Sequence, residues 1–110
     1  MFYIVVNIKK KQKNRTMRKA VTVGDTITEI APAAEDNSGV TRNLSNVIVK
    51  NLSSDVVFLQ WTKESNALSP TNGFPLGQNE GVAISRDWGG APILGICASG
   101  DSADVRVAGD

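Results

Sequence analysis

Short runs of β-branched and aromatic residues recur along this chain, cut by Gly, Pro, Asn and Asp at intervals of roughly 8 to 12 residues. No stretch carries the 3.6-residue periodicity of an amphipathic helix. Val, Ile, Thr and Phe suit a pleated, half-buried surface, while Asn, Asp and Gly supply the dihedrals that reverse the chain. The pattern favours a sandwich, jelly roll or small barrel over any architecture with crossover helices. At 110 residues, 41% of them hydrophobic, the chain has the size of one domain able to close its own core. The expectation is an all-β, jelly-roll-like β-sandwich of about eight short strands spanning 20–110, preceded by an extended basic N-terminal arm over 1–19.

The strongest signal is Asn46 to Trp61, where two β-prone runs flank the polar insert Asn51 to Asp55. It reads as a hairpin, with Val47 and Val49 on one face against Ile48 and Lys50, and Val57, Leu59 and Trp61 against Phe58 and Gln60. Apolar groups on both faces imply a sheet covered on one side by its own core and on the other, at least partly, by another element or another subunit. Around Gly24-Asp25, the alternation of 20–30 reads as one bulged strand or a tight hairpin. A loop over 31–46 can include a short strand at 40–44, and 63–72 is a polar loop. Pro75 places Gly73 to Leu76 at a sheet edge. Gly77 to Asn79 turns the chain into 80–86, with Val82 and Ile84 inward. Pro92 to Ala98 is a buried strand, 99–102 a hairpin connection, and 103–108 the closing strand.

Charge is distributed unevenly. Lys9, Lys10, Lys11, Lys13, Arg15, Arg18 and Lys19 all fall within the first 19 residues, which hold no acid, so a basic arm leads a mildly acidic body. Beside it, Phe2, Tyr3, Ile4, Val5 and Val6 open a short β-prone run ending at Ile8. The arm could meet phosphates, an acidic protein surface or solvent. The adjacent apolar strand favours a protein partner, because such a strand is an aggregation hazard unless it pairs with a sheet edge. An apolar block before a basic one is the reverse of a signal peptide, and no segment approaches the length of a bilayer span, so a soluble protein made in a cytoplasm is expected. The single cysteine, Cys97, lies in an apolar run and reads as a buried, inert thiol.

Chemistry-bearing constellations are scarce. There is no histidine, which removes Ser-His-Asp and Cys-His arrangements and the commonest zinc ligand. Asp101 with Asp104, and Glu35 with Asp36, are the nearest carboxylate pairs, and both sit where turns want acids. Gly100 to Asp104 lacks the glycine and distal glutamate of a calcium loop, and the glycines at 77–81 and 89–90 do not form a phosphate loop. Neither an enzyme nor a bound cofactor is expected. Trp61 reads as core, and Trp88, beside Gly89-Gly90, as an anchor for a partner.

From Asn46 onward, over more than half of the chain, the residues resemble small β-rich proteins encoded among tailed-bacteriophage structural genes. The carrying segments are Val47 to Ser53, Val56 to Leu59, Thr71 to Gly77, Glu80 to Ile84 and Ile93 to Val107. The size and strand pattern are most similar to capsid decoration proteins of the cement or staple type, such as that of epsilon15-like phages. Two features depart from that pattern: Phe58-Leu59-Gln60-Trp61 stands where relatives have an aromatic followed by glycines, and the Lys9 to Lys19 arm has no counterpart. The resemblance implies a virion protein on the outer capsid surface that binds the major capsid protein and cements adjacent subunits, with self-association as a dimer. A tail, fibre or receptor-binding module shares the same fold, and a nucleic-acid-binding OB-like barrel is a further alternative.

Overall fold

The computed structural model describes residues 14, 15, 17–36, 42, 43, 45–86 and 90–109. The expected arm residues from Phe2 to Lys13, and Trp88, lie outside them. Eight strands form two antiparallel four-stranded sheets with no helix among the described residues, and the β-sandwich expectation holds. One sheet contains β2 (Met17–Val23), β11 (Ala103–Gly109), β6 (Asn46–Asn51) and β9 (Gly81–Ser85), in that order. The other contains β3 (Thr28–Ala31), β10 (Ile93–Cys97), β7 (Val57–Gln60) and β8 (Phe74–Leu76). Two-residue strands β1 (Asn14–Arg15), β4 (Glu35–Asp36) and β5 (Arg42–Asn43) add a small third sheet, in which β1 and β5 run parallel.

Alternation decides what each strand buries. Along β6 the residues run exposed, buried, exposed, buried, so Val47 and Val49 enter the interior while Ile48 and Lys50 face out. On β11, Val105 and Val107 do the same, and on β7, Val57 and Leu59. These inner faces interdigitate with Val23, Ile30, Ile84 and Ile93 in one core. At the core centre Gly95 is required by space, because a Cβ there would stand 2.6 Å from Ile30 Cδ1. Trp61 packs only partly against the core, and its ring meets Phe74 edge-on at 5.5 Å between centroids.

The expected hairpins are not hairpins. β6 and β7 belong to opposite sheets, so 52–56 is an arch across the interior edge. The same correction applies to 24–27, between β2 and β3, and to 98–102, between β10 and β11. Within the two four-stranded sheets most partners are distant: β2 pairs with β11, β3 with β10, β6 with β9, and only β7 with its successor β8. The physical reason is that every strand buries one face in the same interior, and an arch satisfies that as well as a hairpin does. The arm boundary also moves, since Arg18 and Lys19 pair with Ala108 and Val107 within β2 and are part of the sheet. Two sheets facing each other likewise replace the OB-like barrel.

Asn51 ties the arches at one end together. It is fully buried, and its Nδ2 donates to the carbonyls of Asp55 (2.8 Å) and Leu76 (2.9 Å). Its Oδ1 accepts from Ser53 N at 2.9 Å. Asp25 and Asp55 serve as turn acceptors for the amides of Gly100 and Ser102 (3.1 Å each). At the opposite end the buried Arg86 holds two loops, its Nη1 donating to Pro32 O and Ala91 O at 2.7 and 2.8 Å.

Candidate interaction surfaces

The two outer faces of the sandwich differ in what covers them. Over the β7–β10 side runs the 61–73 loop, whose Leu68 is buried. Gly73 lies so tightly against this layer that a Cβ would be 2.7 Å from Phe58 Cβ and 2.8 Å from Leu68 Cδ1. Ile96, paired with Phe58 and facing outward with it, is buried as well. The expected cover on an outer face is therefore present here, supplied by the chain itself.

No described residue covers the other outer face. Register places Arg18, Ala108, Ile48 and Ala83 in one row across β2, β11, β6 and β9, and Ala20, Arg106, Lys50 and Gly81 in the next. Ile48 is 56% exposed amid alanines, a bare apolar centre. Two adjoining shallow grooves of about 550 and 530 Å³ meet at Arg18, Ile48 and Ala108. The cations Arg106 and Lys50 are direct cross-strand partners, an arrangement that is destabilising by itself. Asp104 relieves part of it: its carboxylate receives Nε and Nη2 of Arg106 at 3.2 and 3.1 Å, and that bond holds its pKa below the ordinary carboxylate value. Among the described residues, Lys50 and Arg18 have no such acid beside them on the face.

Of the residues expected to bind a partner, the structure brings Arg18 onto this face, leaves Lys19 exposed on the inward side of edge strand β2, and describes only the backbone of Arg15. Ile48, Lys50 and Arg106 were not among them. Their signal was the off-phase isoleucine in Val47-Ile48-Val49, which alternation leaves on the outer face.

A second concavity, of about 300 Å³, lies inside the 61–73 loop, lined by Trp61 and Phe74 with Gln60, Thr62, Glu64, Asn66 and Asn72. Thr62 Oγ1 donates to Glu64 Oε2 (2.6 Å), and Asn72 is engaged by the loop backbone at Ser69 N and Ala67 O. Among the described residues, no three Cys, Asp or Glu gather as a metal-binding set. Asp101 and Asp104 do not form an acid–base pair, since Asp104 is committed to Arg106. Side chains of Glu35 and Asp36 lie outside the described set. Cys97 is buried as expected, its thiol donating to Val23 O at 3.3 Å, and burial raises its pKa.

Comparison of the chain with protein-family models, curated proteins and solved structures finds no match in any of the three.

Proposed function

We propose that this protein is a structural adhesion module that binds the outer surface of a phage capsid and cements adjacent major capsid subunits, stabilising the shell against internal DNA pressure. The observation that carries adhesion is the uncovered basic and apolar face around Ile48, beside an opposite face the chain covers itself. Burying the exposed half of Ile48 contributes on the order of 1 kcal/mol, and an acidic partner surface would neutralise Lys50, Arg18 and Arg106 together. A domain of this size can present about 800 Å² to a partner, enough for a standard interface. The capsid assignment rests on the resemblance of the segments between Val47 and Val107 to decoration proteins.

We also infer that the sandwich is a jelly roll. Counting only its eight strands, first pairs with eighth, second with seventh, third with sixth and fourth with fifth, which is one long antiparallel ribbon wrapped into two sheets. Such a shape presents broad flat faces, suited to adhesion.

The test is particle stability. Particles carrying Ile48→Glu or Lys50→Glu protein, both solvent-facing changes, should shed the protein and release DNA at lower temperature than particles with the native chain. Removing 1–16, which leaves β2 intact, should weaken retention through loss of the cationic arm. If stripped particles resist heat as well as complete ones, or if the polypeptide is missing from purified virions, the proposal is rejected.

One observation favours a receptor-binding module as second reading: the Trp61–Phe74 concavity combines aromatic faces with the Gln60 and Asn66 amides and a carboxylate, a set suited to neutral saccharides. Saccharide binding abolished by Trp61→Ala, with the protein located in tail fibres, would favour that reading over the capsid.

A further inference from the structure

The sandwich has four edge strands, and three are blunted. β2 carries Arg18 and the inward-facing but exposed Lys19. β8 is three residues long with Pro75 at its centre, and β3 carries Glu29, faces a bulge between Ile93 and Leu94, and is followed by Pro32. Charges, prolines and bulges are the means by which native sheets stop edge-to-edge pairing. β9, Gly81-Val82-Ala83-Ile84-Ser85, has none of them.

The hydrogen-bonding phase of β9 can be read from both its ends. Arg86 N donates to Ser45 O at 2.7 Å, and Asn51 N donates to Glu80 O at 3.0 Å. These bonds bracket the ladder Asn46↔Ser85 through Lys50↔Gly81. Bonded and non-bonded pairs alternate along antiparallel strands, so Val82 and Ile84 direct their backbone groups at β6. The N–H and C=O groups of Gly81, Ala83 and Ser85 therefore point away from the sheet, with no partner strand among the described residues. All three residues are exposed and small, and none screens the edge with its side chain.

We infer that β9 is a self-association edge whose occupant is β9 of a second copy, paired antiparallel across a two-fold axis at Ala83. The register argues for a copy of this chain. Centred on Ala83, it sets Gly81 opposite Ser85 and Ala83 opposite itself, so every outward N–H and C=O of both copies finds a mate. Val82 then stands across from Ile84 on the inner side, covering the half-buried valine. An isologous contact of this kind closes after two copies. It joins the two β2-β11-β6-β9 sheets into one, with both copies of Ile48 on a continuous outer face, one strand from the axis.

Sedimentation equilibrium on the full chain tests this, with Ala83→Pro as the probe variant. The Ala83 N–H is not used by β6, so proline there removes an outward donor without breaking the internal ladder, as edge strands tolerate. The native chain should show a concentration-dependent doubling of mass, and Ala83→Pro should weaken association by at least roughly tenfold at an unchanged fold. Ile48→Lys should leave association intact. Hydrogen exchange on the native protein gives a readout that does not depend on any variant folding. The Gly81, Ala83 and Ser85 amides should gain protection as concentration rises, in step with the mass. A chain that remains monomeric up to about 1 mM overturns the inference. So does a dimer that survives Ala83→Pro but is lost in Ile48→Lys, or one whose three edge amides exchange freely.

Discussion

Replacing Asn51 with alanine should be the most damaging single polar change among the described residues. The side chain makes three hydrogen bonds from a site with 0% exposure, and its partners sit on two separate pieces of chain: Ser53 and Asp55 in the 52–56 arch, and Leu76 at the end of β8. Each bond contributes about 1 kcal/mol net, for about 3 kcal/mol together. Leu76 O is bonded in a buried position, and losing its donor adds about 1–2 kcal/mol of uncompensated desolvation. The carbonyl of Asp55 and amide of Ser53 are part-buried and can turn to water, so they add no comparable penalty.

The total, about 4–5 kcal/mol, is a large share of the 5–15 kcal/mol typical of a domain. For a chain of this length it corresponds to a fall in Tm of roughly 15–20 °C. Equilibrium urea unfolding of the native and Asn51→Ala proteins measures it, with equal m-values required so that the comparison is of stability alone. Asn51→Leu should be nearly as costly, since it restores volume and leaves Leu76 O without a donor. A loss below about 1 kcal/mol in Asn51→Ala would refute the reasoning, because the arch and β8 would then hold their places without the bracket.

Three further outcomes follow from the same structure. Gly73→Val should push the 61–73 loop off Phe58, costing about 1–3 kcal/mol and increasing Leu68 exposure; a neutral melt would reject the packing of that loop. Cys97 has a folded-state pKa raised by burial, then by Asp101, Asp55 and Asp25, so between its unfolded and folded values the unfolded chain has lost the proton that the folded one keeps. Stability from this group is therefore complete below the ordinary thiol range and declines as pH rises above it, and native protein should lose more urea resistance than Cys97→Ala over that alkaline interval. Lys50→Glu should raise the Tm of the isolated protein, since it converts the like-charge pair with Arg106 into an attractive one, while weakening partner binding; a lowered Tm would contradict the cross-strand repulsion.

Strand existence was legible in the sequence because it depends on local alternation. The runs at 46–51, 57–60, 81–85 and 93–97 stand close to where period-two patterning puts them. Strand partnership was not legible, for a physical reason. Val47, Val49, Val57 and Leu59 present the same inward signal whether β6 and β7 lie side by side or face to face, and a turn of about five residues permits either. What distinguishes them is that β6 pairs with β11, more than fifty residues away in sequence. No local pattern encodes that separation.

The same limit explains the interaction surface. Phe58 and Ile48 are equivalent in sequence, each an apolar residue on the wrong phase of its strand, and each announces an outer face that needs cover. Only the fold tells them apart. β7 and β8 are the one sequential pair within the two four-stranded sheets, so the 61–73 loop joining them returns across its own sheet and brings Leu68 over Phe58. β6 is flanked by β11 and β9, whose connections all depart for the other sheet, and no described loop lies across Ile48. On that face Lys50 stands opposite Arg106, where an acid at position 50 would make the isolated domain more stable. Two cations held side by side beside an exposed isoleucine gain favourable energy when an anionic, partly apolar surface is seated on them, which is the condition the adhesion reading requires.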